Sequence, residues 1–165
     1  MLLPLLAVTA CGRAVDTDTR EQVRLHDAAL KNLPEKFYRP GLGDMMNALQ
    51  LRHAKLWYAG AAGNWELASF EAHEIEESLE RIAHWHAVHD EAPIASYIEA
   101  YMHPGHSALE QSIAKQDMEA FTTAFDQFTQ GCNDCHRATG HAFISIQRPT
   151  ADSFPNQRWT PEGGR

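Results

Sequence analysis

Asp117-Met118-Glu119-Ala120-Phe121-Thr122-Thr123-Ala124-Phe125-Asp126-Gln127-Phe128-Thr129-Gln130-Gly131-Cys132-Asn133-Asp134-Cys135-His136 is the stretch whose reading decides the fold. Met118, Phe121, Phe125, Phe128, Cys132 and Cys135 recur at spacings of three and four, the period of a helix with one buried face. Asp117 stands where a carboxylate can accept from the free N–H groups of a first turn, and Gly140 stands where such a helix ends. The segment is therefore expected to be helical, with both cysteines continuing its core-facing stripe.

The same period appears three more times upstream. After Gly41, the residues Leu42, Met46, Leu49, His53, Leu56 and Gly60 form a stripe widened by Met45 and Trp57. Gly60-Ala61-Ala62-Gly63 interrupts it, and Asn64 is a good N-cap for the next segment. That segment carries Trp65, Ala68, Ala72, Ile75, Leu79, Ile82, His86 and His89 on one side and Glu71, Glu74, Glu76, Glu77 and Glu80 elsewhere, a charge run that reads as a solvated face. Asp90-Glu91-Ala92-Pro93 closes it. A third segment shows Ile94, Tyr97, Ile98 and Tyr101, then His103-Pro104-Gly105, then a second piece over 108–114. This is either a kinked helix or two short ones; proline in a helix interior costs about 3 kcal/mol, so the break is the expectation. No alternating run long enough for a strand occurs. Four amphipathic helices with short connections predict an all-α antiparallel four-helix bundle with an interrupted third helix. The expected layout is a signal segment over 1–10, a tether over 11–40, the bundle over 41–140 and an irregular extension over 141–165.

With 165 residues the chain suits one domain of this kind. Its net charge of −8 speaks against nucleic-acid binding, which needs clustered Lys and Arg. Of three cysteines, two stand in Cys132-Asn133-Asp134-Cys135-His136 and one, Cys11, stands alone, which is no disulfide framework. The C-x-x-C-H spacing has a chemical reason. Two thiols one helical turn apart can each bond one vinyl group of a haem, and the adjoining imidazole then lies under the iron as proximal ligand. A redox dithiol or half a zinc site shares the C-x-x-C portion. The dithiol normally opens a helix in a βαβ pattern, however, and a structural zinc site needs further ligands. One covalent haem c on Cys132 and Cys135, with His136 on the iron, is the expected cofactor.

A haem motif near the end of the last helix of a four-helix bundle resembles the class II c-type cytochromes, the cytochrome c-prime group. The resemblance covers the layout of 41–140, with Cys132, Cys135 and His136 matching the motif itself. The stretch from Gly131 to Pro149, with Arg52-His53-Ala54-Lys55-Leu56-Trp57 and Asn64-Trp65, is also similar to a group of uncharacterised proteobacterial cytochrome-like proteins. In related bundle cytochromes with six-coordinate iron, a first-helix methionine is the distal ligand. Antiparallel packing brings the end of the fourth helix level with the start of the first, where Met45 and Met46 lie. Met46 shares the stripe with Leu49 and His53 and is the expected distal ligand, with Met45 the alternative. His53 lies about 10 Å further along the axis, at 1.5 Å per residue, and reads better as a hydrogen-bonded core histidine. The chain departs from a compact class II protein in its interrupted third helix and in its tail, which either covers one haem edge or hangs loose.

At the other end, residues 1–10 are apolar and uncharged, too short for the roughly 20 residues that span a bilayer. Val8-Thr9-Ala10-Cys11-Gly12 resembles the lipobox of bacterial lipoproteins, which implies a diacylated Cys11 holding the domain at a membrane surface. No Lys or Arg precedes the apolar run, a departure from the usual signal pattern. The alternative is an ordinary cleaved signal peptide with Cys11 incidental, and either reading exports the domain to the periplasm.

Three function classes follow. The first is a one-electron carrier with His136 and Met46 on the iron and a redox protein as partner; association with a second copy is left open. The second is a five-coordinate gas-binding haem protein or sensor. The third is a non-haem metal module built from His84, His86, His89, His103 and His106, although only His86 and His89 share a helical face. Paired carboxylates or a nucleophile constellation, as an enzyme would need, are not evident. Arg39, Arg52 and Arg137 are candidates to meet haem propionates.

Overall fold

The computed structural model describes residues 21–25, 39–161 and 163. The expected signal segment, Cys11 and most of the tether lie outside the described residues. The chain divides into two compact units, Met1–Arg39 and Pro40–Arg165. In the first, 21–25 is helical and Arg24 pairs with Glu21. Everything that follows concerns the second.

That unit is an all-α antiparallel bundle. Helix α1 spans Leu42–Ala61 and α2 spans Trp65–Trp85; α3 (Ile94–Tyr97), a π-helical turn (Ile98–Met102) and α4 (His103–Lys115) follow one another without a gap as one helical rod; α5 spans Met118–Ala138. The caps are where the side chains call for them. The Asn64 carboxamide accepts from the Leu67 N–H, and the Asp117 carboxylate accepts from the Glu119 and Ala120 N–H groups. Among the described residues no strand forms, only an isolated bridge between His89 and Ala92.

Two expectations need correction. The third rod does not break at Pro104. Instead the helix widens just ahead of it, with the His103 N–H reaching back to the Ile98 carbonyl. In a regular helix the Pro104 ring would press on the carbonyl four residues earlier, and a wider turn over those residues relieves the clash. The second helix also stops at Trp85 rather than at His89, with His86 as its C-cap.

The expected stripes form the core. Leu49, Leu56, Ala68, Ala72, Ile75, Leu79, Ile82, Phe121, Phe125 and Phe128 are buried, and each fully buried phenylalanine contributes about 1.5–3 kcal/mol. The acidic run on α2 is not wholly solvated. Glu71 is only 1% exposed, and Arg52 of α1 bridges it (3.1 Å) and Glu74 (2.9 Å). A carboxylate this deep is tolerable because a charge-assisted partner meets it.

Helix α1 packs chiefly on α2, and α4 on α5, leaving a thinner seam between α1 and α5. At one end of that seam Gly60 admits the Phe121 ring, which any side chain there would strike. The irregular residues beyond α5 cover the rest. Arg148 pairs with Asp126 and stacks 4.5 Å over Trp57, the Tyr58 hydroxyl donates to the Ala151 carbonyl, and the Asn64 amide donates to the Trp159 carbonyl at 2.9 Å. Phe154 and Trp159 pack against Tyr58. The extension is a strap along the bundle, not a loose end.

Candidate functional site

The phenylalanines of α5 give way to smaller side chains beyond Phe128, and a cavity of about 370 Å³ opens there. That is within the range of small-molecule and cofactor sites. Leu42, Met46 and Leu49 of α1, Phe128 and the two cysteines of α5, and Ile144 and Ile146 of the strap form much of its apolar wall. Cys132, Cys135 and His136 thus share one cavity with Met46, whereas Met45, although partly buried, is not among the residues lining it.

Cys132 and Cys135 are free thiols. Burial pushes the Cys132 thiol up to about 12, with the neighbouring Cys135 adding to the effect, and burial raises Cys135 as well. A reactive dithiol needs the opposite, a thiol whose charged form is favoured. Among the described residues no group of three or more His, Cys, Asp or Glu side chains is arranged to hold a metal ion.

His136 is half-buried and oriented. Its Nδ1 lies 2.9 Å from the Ile144 carbonyl oxygen, which can only accept, so Nδ1 carries the proton and in the neutral ring Nε2 holds the lone pair. This is the arrangement a metal-binding imidazole needs from its outer partner. Two apolar-facing thiols at helical spacing, an imidazole with a basic Nε2 and a thioether on α1 form a donor set that fits a covalently held haem.

His53 also lines the cavity, but its Nε2–H donates to the Thr129 hydroxyl at 2.8 Å, which in turn donates to the Phe125 carbonyl. Burial holds its pKa well below 6.5, at about 4, so the ring is neutral at ordinary pH. The remaining histidines are held separately. The His106 Nε2 meets the Ala72 carbonyl (2.8 Å), the His86 Nε2 meets the Pro40 carbonyl (2.9 Å), His103 lies beside Glu99, and His73 is exposed. His86 and His89 do come within 5.5 Å ring to ring, as their shared face suggested.

Of the candidate propionate partners, Arg52 is engaged with Glu71 and Glu74, Arg137 with Asp134, and Arg39 is exposed. Asp90, His141 and the strap residues Ile144 and Ile146 also line the cavity and were not singled out by the sequence as site residues, and His89 lines it although the sequence placed it only with the histidine cluster. Asp90 and Glu91 form a two-residue turn with positive φ at both positions (45° and 67°), which is uncommon outside Gly, Asn and Asp. No family model, curated protein or solved structure matches the chain. Among the described residues, no helix is long and apolar enough to cross a membrane.

Proposed function

We propose that the chain is a mono-haem c-type cytochrome of the class II type, a one-electron carrier exported to the periplasm and held at a membrane surface through a lipidated Cys11. The observation that carries the reading is the single apolar cavity shared by Cys132, Cys135, His136 and Met46. Cys132 and Cys135 would hold the haem through two thioether bonds, His136 would ligate the iron through Nε2, and Met46 would ligate from α1. When bound, the group supplies a one-electron ferric/ferrous couple. The chain's own contribution is to orient the His136 ring through Ile144, to keep water away with Leu42, Leu49 and Phe128, and to offer a soft thioether that favours the ferrous state. The neutral His53 adds no charge to this wall.

The test is the optical spectrum of protein exported from a host with c-type maturation machinery. A low-spin ferrous spectrum unchanged by carbon monoxide is expected, and Met46→Ala should yield iron that binds carbon monoxide readily. A wild-type protein that is high-spin and takes up the gas at once would overturn electron carriage in favour of gas binding.

A further inference from the structure

The two residues between the cysteines serve the C-x-x-C-H spacing and have no part in the chemistry read from it. One of them nonetheless makes a specific pair of bonds. The Asn133 side-chain amide donates to the Ile146 carbonyl at 2.9 Å, and its carbonyl oxygen accepts from the Ile146 N–H at 2.8 Å. Both groups of one carboxamide thus engage both groups of one backbone residue, and only one orientation of the amide satisfies them. Ile146 is two residues along the strap from Ile144, whose carbonyl accepts from the His136 Nδ1–H. Asn133 and His136 lie three apart on the last turns of α5, so they reach the strap on the same side of the helix.

We propose that Asn133 is a positioning residue that acts through the strap: by pinning Ile146 it holds the Ile144 carbonyl against His136 and keeps the imidazole strongly electron-donating through Nε2. This rests on the haem reading above. A hydrogen bond from Nδ1–H to a fixed carbonyl raises the basicity of the other ring nitrogen, which stabilises ferric over ferrous iron and sets the potential lower than a free imidazole would.

The experiment compares the full-length, haem-loaded wild type with Asn133→Ala, Asn133→Asp and Ile146→Pro. Asn133→Asp keeps the acceptor and loses the donor, while Ile146→Pro removes the N–H and also fixes φ and trims the Ile146 side chain from the cavity wall. Asn133→Ala should raise the reduction potential and abolish the hydrogen-exchange protection of the Ile146 amide. A tenfold change in the ferric preference corresponds to about 59 mV for one electron. Asn133→Asp should retain part of the effect, and Ile146→Pro should shift the potential in the same direction as Asn133→Ala even if that variant folds poorly. Trp159→Ala, which loosens the strap at its far end, should leave the potential unchanged. Mere loosening near the iron would admit water, favour the ferric charge and lower the potential. An unchanged or lowered potential in both Asn133→Ala and Ile146→Pro overturns the proposal. If the wild type takes up no haem, the cofactor reading fails on its own. The His136 tautomer in the full chain, read from its ring nitrogen shifts, then decides the clamp: Nδ1–H in wild type and a switch in Asn133→Ala supports it, and no switch overturns it.

Discussion

The two ends of the α1–α5 seam are built from the same two helices and behave as opposites. At the end near Gly60, Trp57 lies 6.2 Å from Phe121 and 5.0 Å from Phe125, Trp65 meets Phe121 edge-on, and His53 lies 4.4 Å from Phe125. At the other end the α5 stripe continues with cysteines in place of phenylalanines, and the space the rings would fill becomes the cavity. One helical period thus runs through both ends, and on α5 the change from phenylalanine to cysteine separates the packed core from the opening. The packed end supplies stability, and the open end is free to be shaped by the strap.

The largest expected break in this comparison is Phe125→Ala. It should cost about 4 kcal/mol in urea unfolding, because a fully buried ring leaves a cavity among rigid neighbours. A loss under 1 kcal/mol would mean that the two ends are equally loose.

His53, between the ends, should make stability depend on pH. Its folded pKa of about 4 lies below the unfolded value near 6.5, so in that window the unfolded chain binds the extra proton. Stability should therefore fall by about 3 kcal/mol as pH drops from 6.5 to 4, with no further contribution from this residue below. His53→Gln should flatten that portion of the profile.

At the open end, Met46→Ala should cost only about 1 kcal/mol, since the side chain is half-buried at a cavity wall that already lacks full packing. A far larger loss would place Met46 in the closed core. Smallest of all, Glu91→Gly should stabilise the chain by about 0.5–1 kcal/mol by relieving the left-handed backbone at the cavity rim. Thermal unfolding measures both.

The regular parts of this architecture were legible in the sequence because helical packing leaves a period. Phe121, Phe125 and Phe128 on α5, and Ala72, Ile75 and Leu79 on α2, announce their buried face by spacing alone. The burial of Glu71 was not legible, since nothing local distinguishes it from Glu77 or Glu80. What separates it is Arg52, nineteen residues earlier on another helix. The third segment reads as either a kinked helix or two short ones, and the break is preferred because proline chemistry argues for it wherever the wider π-helical turn over Ile98–Met102 is not considered. At the site, the cysteines, His136 and Met46 could be proposed from spacing and antiparallel order. The strap's part in the site could not: it meets His136 and Asn133 through backbone groups of Ile144 and Ile146 in an irregular segment, and a backbone group leaves no trace in residue identity.

The central claim is that Cys132 and Cys135 carry a haem. Mass spectrometry of the denatured protein, exported from a strain with c-type maturation machinery, tests it most directly. The expected result is a chain heavier by one haem, with the addition lost in a Cys132→Ala, Cys135→Ala double variant. An unmodified wild-type chain, from cells that load a control cytochrome normally, would contradict it.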